Sequence, residues 1–270
     1  MITTQLVSCM LADIDPLQPV VPAQLFTFYI GHCRIVVSNQ MFMIFLGTLL
    51  LLIFMPLASR SQRMVPKRAR NLIESICLFL REEMARPVLG ENTDRYIGFI
   101  WTMFFFILTL NLLGMVPIEK MVMLLTGKEN HFGGAATANI WITGAMAIVT
   151  FFVTHIAGVR KQGLWRYIVN LAPPVPWWIM PLVYFLEIVT AIVRPFTLAV
   201  RLFANMIAGH IVLAVVIGLI FIFKNYEAAI AVLLGNLALS LLELLVALIQ
   251  AYIFTLLSTL YISFSISSEH

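Results

Sequence analysis

The stretch "WWIMPLVYFLEIVTAIVRPFTLAVRLFANMIAGHIVLAVVIGLIFIF", Trp177 to Phe223, is almost wholly apolar and carries only Glu187, Arg194, Arg201 and His210 as charged or imidazole side chains. As one helix its roughly 47 residues would extend about 70 Å, against about 30 Å of bilayer hydrocarbon. It cannot cross upright. It either breaks into shorter helices or lies strongly tilted. After a short turn at "KNYE" (224–227) a second run, Ala228 to Ser265, poses the same problem at nearly 60 Å. The two segments are expected to run antiparallel.

The rest of the chain agrees with a membrane setting. Of 270 residues 61% are hydrophobic and 11% charged, which excludes a water-soluble globular domain. No long alternating pattern of an outer-membrane barrel is present, so the spans are helices. The net charge of +4 is concentrated in short loops, which argues for membrane topology and against nucleic acid as a partner. Cys9, Cys33 and Cys77 have neither zinc spacing nor an even count, so no disulfide framework, metal site or cofactor is expected. The predicted fold class is an all-α polytopic membrane protein, one membrane domain over 41–270 behind an extracytoplasmic or interfacial segment, 1–40.

Five spans are expected, at about 41–58, 96–117, 137–158, 177–223 and 228–265. Between the first two, Arg60, Arg63, Lys67, Arg68, Arg70, Arg81 and Arg86 face only Glu74, Glu82 and Glu83, which marks a cytoplasmic segment. Within it (about 64–87) Leu72, Ile76, Phe79 and Leu80 recur at helical spacing, the pattern of an amphipathic helix on the membrane surface. Arg160, Lys161 and Arg166 mark the cytoplasm again, whereas the loop 118–137 is balanced in charge and lies outside. The N-terminus is therefore outside and the C-terminus inside.

Ionisable residues within spans are costly and persist where they are paired or functional. Arg201 is more than 20 residues from either end of its segment. Tilt could bring its guanidinium to the interface, it could neutralise an internal carboxylate, or it could be a fixed positive charge on an ion path. At about 100° per residue Arg194, Arg201, Asn205 and Ala208 share a helix face, with Glu187 two turns back and His210 nearly opposite. On the last segment Glu243 and Gln250 are seven residues apart and share a stripe. Glu243 is within conceivable reach of His210, as a titratable pair in a polar cavity. Asn111, Gln250 and Tyr252 can also be read as polar glue between helices. No phosphate-binding glycine loop, HExxH pair or nucleophile with a base is present, so no covalent chemistry is indicated. The residues alone point to ion or proton conduction through a helix bundle.

"RPFTLAVRLFANMIAGH" (194–210), "LLELLVALIQAYIFTLLSTLYIS" (241–263), "FILTLNLLGMVP" (106–117) and "PPVPWWIMPLVYFLEI" (173–188) together resemble subunit a of the F-type ATP synthases. The resemblance covers roughly 95–265, and the first 90 residues share only its general layout. It implies a stator subunit beside a rotating c-ring, with peripheral-stalk b subunits and membrane lipid as further partners. It implies that Arg201 faces the ring carboxylate and separates two aqueous half-channels, with Asn205 one turn on. His210 and Glu243 then line the outer half-channel, Gln250 stands opposite the arginine, Glu187 lies near the inner half-channel and Asn111 in the outer path. The subunit would have no catalytic site of its own.

A secondary transporter with a midplane ion site is the competing reading, but it would be expected to show inverted repeats, and no repeat is visible. The long basic amphipathic segment, and an N-terminus unlike a presequence, favour a bacterial inner membrane over a mitochondrial one. Proton is preferred over sodium, although ion identity depends largely on the ring.

Overall fold

A computed structural model describes residues 24–30, 33–59, 69–116, 118, 122, 133–169, 176–223 and 226–266. The chain is an all-α polytopic membrane protein: five helical runs are long and apolar enough to cross a membrane, Asn39–Pro56, Arg70–Met115, Ile140–Gln162, Met180–Val216 and Val232–Ile266.

The N-terminal segment holds one element that the sequence reading lacked. Strands β1 (Gln24–Ile30) and β2 (Cys33–Ser38) pair antiparallel, Ile30 opposite Cys33 and Phe26 opposite Val37. Their sequences, QLFTFYI and CRIVVS, are rich in aromatic and β-branched residues, which favour extended backbone. Helix α1 (Asn39–Ser59) follows at once, and Ser38 caps it by accepting a hydrogen bond from Met41 N at 3.4 Å.

The basic segment is helical where it is described, the portion 60–68 lying outside the described residues. Helix α2 (Ala69–Phe79) passes into a π-helical turn, Leu80–Ala85, then α3 (Arg86–Leu89) and a 3-10 turn, Gly90–Asn92. Of the apolar stripe read from the sequence, Leu72 and Phe79 are exposed whereas Leu80 is fully buried. Trp101 Nε1 donates to Cys77 O at 3.1 Å, and Arg81 meets Asp94 at 2.6 Å, so this segment is fastened to α4 (Thr93–Met115). Most of the loop 118–137 falls outside the described residues. Its last part ends in a buried 3-10 turn, Ala136–Ala138, where the third span was expected to begin; α5 starts at Ile140 and runs to Gln162. Arg160 and Lys161 in its last turn complement the helix dipole, and Gly163, at φ +83°, turns the chain into α6 (Leu164–Val169).

Helices α7 (Met180–Phe223, 44 residues) and α8 (Tyr226–Ile266, 41 residues) are each continuous. The choice between broken and unbroken segments thus falls to unbroken. At about 1.5 Å per residue each exceeds 60 Å, so in a bilayer both must incline steeply.

The packing forms two compact units. The first comprises the described residues of 1–50, 108–139 and 203–250. In it Gly114 admits Ala135 and Met206 so closely that a Cβ would lie 3.1 Å from the Ala135 methyl and 3.0 Å from Met206 Cε. The buried loop is tied down there as well: Asn39 Nδ2 donates to Gly133 O at 2.7 Å, and Asn139 Nδ2 to Gln40 Oε1. Non-helical backbone at such depth is tolerated when protein surrounds it.

The second unit comprises those of 51–107, 140–202 and 251–270. Leu80, Ile100, Ile107, Leu202, Phe254 and Ile262 are its fully buried side chains of note. Polar bonds from the end of α8 hold it: Ser263 Oγ to Val88 O at 2.7 Å, Ser265 Oγ to Thr154 O at 2.8 Å, and Gln162 Nε2 to Ser265 O at 3.1 Å.

Candidate functional site

The first unit gathers Asn111, Asn205, His210, Glu243 and Gln250. The last part of α7 and the first part of α8 run antiparallel there, because only 224–225 separate them. Their facing sides enclose a cleft of about 190 Å³, lined by apolar side chains except at Asn205 and Glu243. Glu243 reaches across to Gly209: a Cβ at 209 would collide with its carboxylate, 2.9 Å from Cδ and closer still to Oε1. Only glycine leaves that space. The carboxylate is buried at 9% exposure, yet neither oxygen has a hydrogen-bond partner among the described residues.

The same condition recurs around it. His210 is half-buried and its Nε2 is buried without a partner, so no hydrogen bond joins it to the Glu243 carboxylate. Asn111, fully buried on α4, donates from Nδ2 to Ala247 O at a long 3.4 Å, and its Oδ1 is unpartnered. Gln250 is buried with Nε2 unpartnered, and Thr137 in the buried loop and Asn236 on α8 each hold a buried oxygen without a partner. An unpaired buried polar group costs about 1–3 kcal/mol, and six residues of this one unit carry such an atom among the described residues.

The second unit holds Glu187, Arg194 and Arg201, all on α7. Arg194 Nη2 bonds Glu187 Oε1 at 3.1 Å, both side chains partly buried, and the guanidinium lies 5.4 Å from the centroid of the Tyr261 ring. Glu187 is thus the partner of Arg194. Arg201 is different: it is exposed and makes no ion pair or hydrogen bond among the described residues. Its neighbours along the helix surface, Val193, Phe196, Thr197 and Ala204, are exposed too, so the guanidinium emerges from a face of modest polarity. His155, by contrast, is engaged locally, Nδ1 lying 2.9 Å from Phe151 O and the ring against Phe151.

Several contributors lay outside the residue-by-residue reading. Gly209 has no polar group to attract notice. Asn236 stands seven residues before Glu243, as Gln250 stands seven after it, and that heptad spacing is visible in the sequence. Tyr261 is tied to Arg194 only through the fold. No group of three or more metal-ligating side chains occurs among the described residues.

The similarity of the chain to known proteins extends over most of its length. The family model described as "ATP synthase A chain" matches residues 41–263. An ATP synthase subunit a of Myxococcus xanthus is 40% identical over 210 residues, 77% of this chain and 65% of that protein. One of Chloroherpeton thalassium is 38% identical over 248 residues, 89% of this chain and 69% of that one. One of Anaeromyxobacter dehalogenans is 39% identical over 239 residues, 86% of this chain and 58% of that one. The chain therefore spans roughly two thirds or less of the length of several curated relatives that it matches. With a family match over most of its length and relatives of this similarity, the chain belongs to the ATP synthase A chain family.

Proposed function

We propose that the chain is the proton-conducting stator subunit of the membrane sector of an F-type ATP synthase, coupling proton flow to rotation of a c-ring and so to ATP synthesis. The supporting observation is the set of buried polar side-chain atoms without a hydrogen-bond partner among the described residues, Asn111 Oδ1, His210 Nε2, both Glu243 carboxylate oxygens and Gln250 Nε2, inside otherwise apolar helices. These line the outer half-channel. Glu187, held by Arg194, belongs to the inner one.

Arg201 acts on the ring. A carboxylate facing lipid stays protonated because ionisation there would require desolvating a charge. Close to a guanidinium that is always charged, the same carboxylate ionises. Its proton leaves through one half-channel and another enters from the other. The exposure of Arg201, and the lack of a partner for it among the described residues, suit a group that meets a carboxylate on another chain. A fixed cation also repels protons and so suppresses leakage between the half-channels. The driving force is about 2.3 kcal/mol per charge per 100 mV. Asn205 and Gln250 support this arrangement, and the chain itself performs no covalent chemistry.

The setting is the bacterial inner membrane, N-terminus outside and C-terminus cytoplasmic, with the c-ring, peripheral-stalk b subunits and lipid as neighbours. The bacterial sources of the relatives and the distribution of basic residues support it. The path is tested by His210→Ala and Glu243→Gln in reconstituted complexes. Each is expected to lower proton flux and alter its pH profile. An unchanged rate and profile in both would refute a path there.

A further inference from the structure

We propose that Asn236 is the outermost polar station of the water path that leads to Glu243, a role that rests on the outer half-channel reading above. Asn236, Glu243 and Gln250 follow one another at intervals of seven on α8, and two intervals of seven return a helix to nearly the same face. Each step advances about 10.5 Å along the axis, so the three side chains form a ladder about 21 Å long on one stripe.

What distinguishes this stripe is the state of its polar atoms. Asn236 Oδ1, both oxygens of Glu243 and Gln250 Nε2 are all buried, and none has a hydrogen-bond partner among the described residues. The neighbouring hydroxyl does not fill the role at Asn236: Ser240 Oγ donates to the Asn236 backbone carbonyl at 2.9 Å, a bond that satisfies the helix and leaves Asn236 Oδ1 without a partner among the described residues. Leu233, Leu234, Leu237, Leu241 and Leu244 on the other sides of the same helix are apolar and exposed, as expected of surfaces that meet lipid or another apolar chain. A lone asparagine inside such a run would be retained as glue between helices if it bonded to one; among the described residues its buried Oδ1 has no such bond. A buried amide oxygen without a protein donor is instead completed by water, and a chain of waters from Asn236 towards Glu243 would supply protons to the carboxylate. Its position, ten residues from the start of α8 at Tyr226, lies between the outer turn and Glu243.

Asn236→Cys in the assembled enzyme tests this, with ATP-driven proton pumping measured before and after a small water-soluble thiol reagent, 2-aminoethyl methanethiosulfonate. Wild type, which retains Cys9, Cys33 and Cys77, and Leu237→Cys serve as references. We expect the reagent to reduce pumping several-fold in Asn236→Cys and to leave both references little changed. Equal response in all three would overturn the proposal. Should the cysteine variant not assemble, Asn236→Gln and Asn236→Leu decide in its place: passive proton flux retained by Gln and lost by Leu, at equal subunit content, supports the proposal, and equal flux in both overturns it. Glu243→Gln in the same membranes separates the two levels. If it conducts normally, the outer path itself is wrong; if it blocks flux while Asn236→Cys ignores the reagent, only the extension to Asn236 fails.

Discussion

Gly209 and Glu243 touch across the two long helices, with the carboxylate occupying the space that any Cβ at position 209 would need. This contact fixes where a buried acid sits, and it depends on the absence of a side chain. Gly209→Ala is therefore expected to push the carboxylate out of place. Overpacking typically costs about 1–3 kcal/mol, so a loss of roughly tenfold in proton flux is the expected scale. Shortening the acid should relieve it: Glu243→Asp in the Gly209→Ala background is expected to recover part of the flux. Proton uptake by reconstituted vesicles would show the non-additivity.

The Glu187–Arg194 pair calls for an asymmetric response. Arg194→Met leaves a partly buried carboxylate without its cation, whereas Arg194→Met with Glu187→Gln removes both charges. The single change is expected to destabilise more than the double, with a coupling of about 1 kcal/mol because both groups retain some solvent contact. Tyr261→Leu should cost a further 0.5 to about 1 kcal/mol through the lost ring–guanidinium contact. Thermal unfolding of the detergent-solubilised complex would rank the variants.

At the end of α8, Gly158 lies against Ser265 and Tyr167, 2.8 Å separating the position of an added Cβ from Tyr167 Cδ2. Gly158→Val is expected to destabilise the second unit by about 1–3 kcal/mol. Ser265→Ala should cost less, near 1 kcal/mol, since it removes one hydrogen bond to Thr154 O. Protease sensitivity of the C-terminal residues would report the loosening.

The sequence made much of the fold legible. Five apolar runs, their alternation with basic loops and the excess length of the last two segments follow from bilayer thickness and rise per residue. The hairpin before α1 was less legible. Its alternation in LFTFYI is short and adjoins an apolar span, so a reading by hydropathy passes over it. The buried loop before α5 was also misleading, because charge balance speaks to which side a loop is on and says nothing about Gly133–Asn139 folding back among helices. At the site, Arg201, His210 and Glu243 stood out because charge in an apolar run is costly. Gly209 and Tyr261 could not stand out: one matters through lacking a side chain, the other through a partner 67 residues away in sequence, Arg194. The separation of Glu187 and Arg194 by two turns was visible, but only the packed helix shows that they bond to each other.

The most direct measurement of the central claim is ATP-driven proton pumping by reconstituted complexes carrying Arg201→Ala, beside wild type and Arg201→Lys. The account predicts that pumping is abolished by Ala and severely reduced by Lys, while ATP hydrolysis by the detached catalytic sector is unaffected. Pumping at the wild-type rate with alanine at position 201 would contradict it.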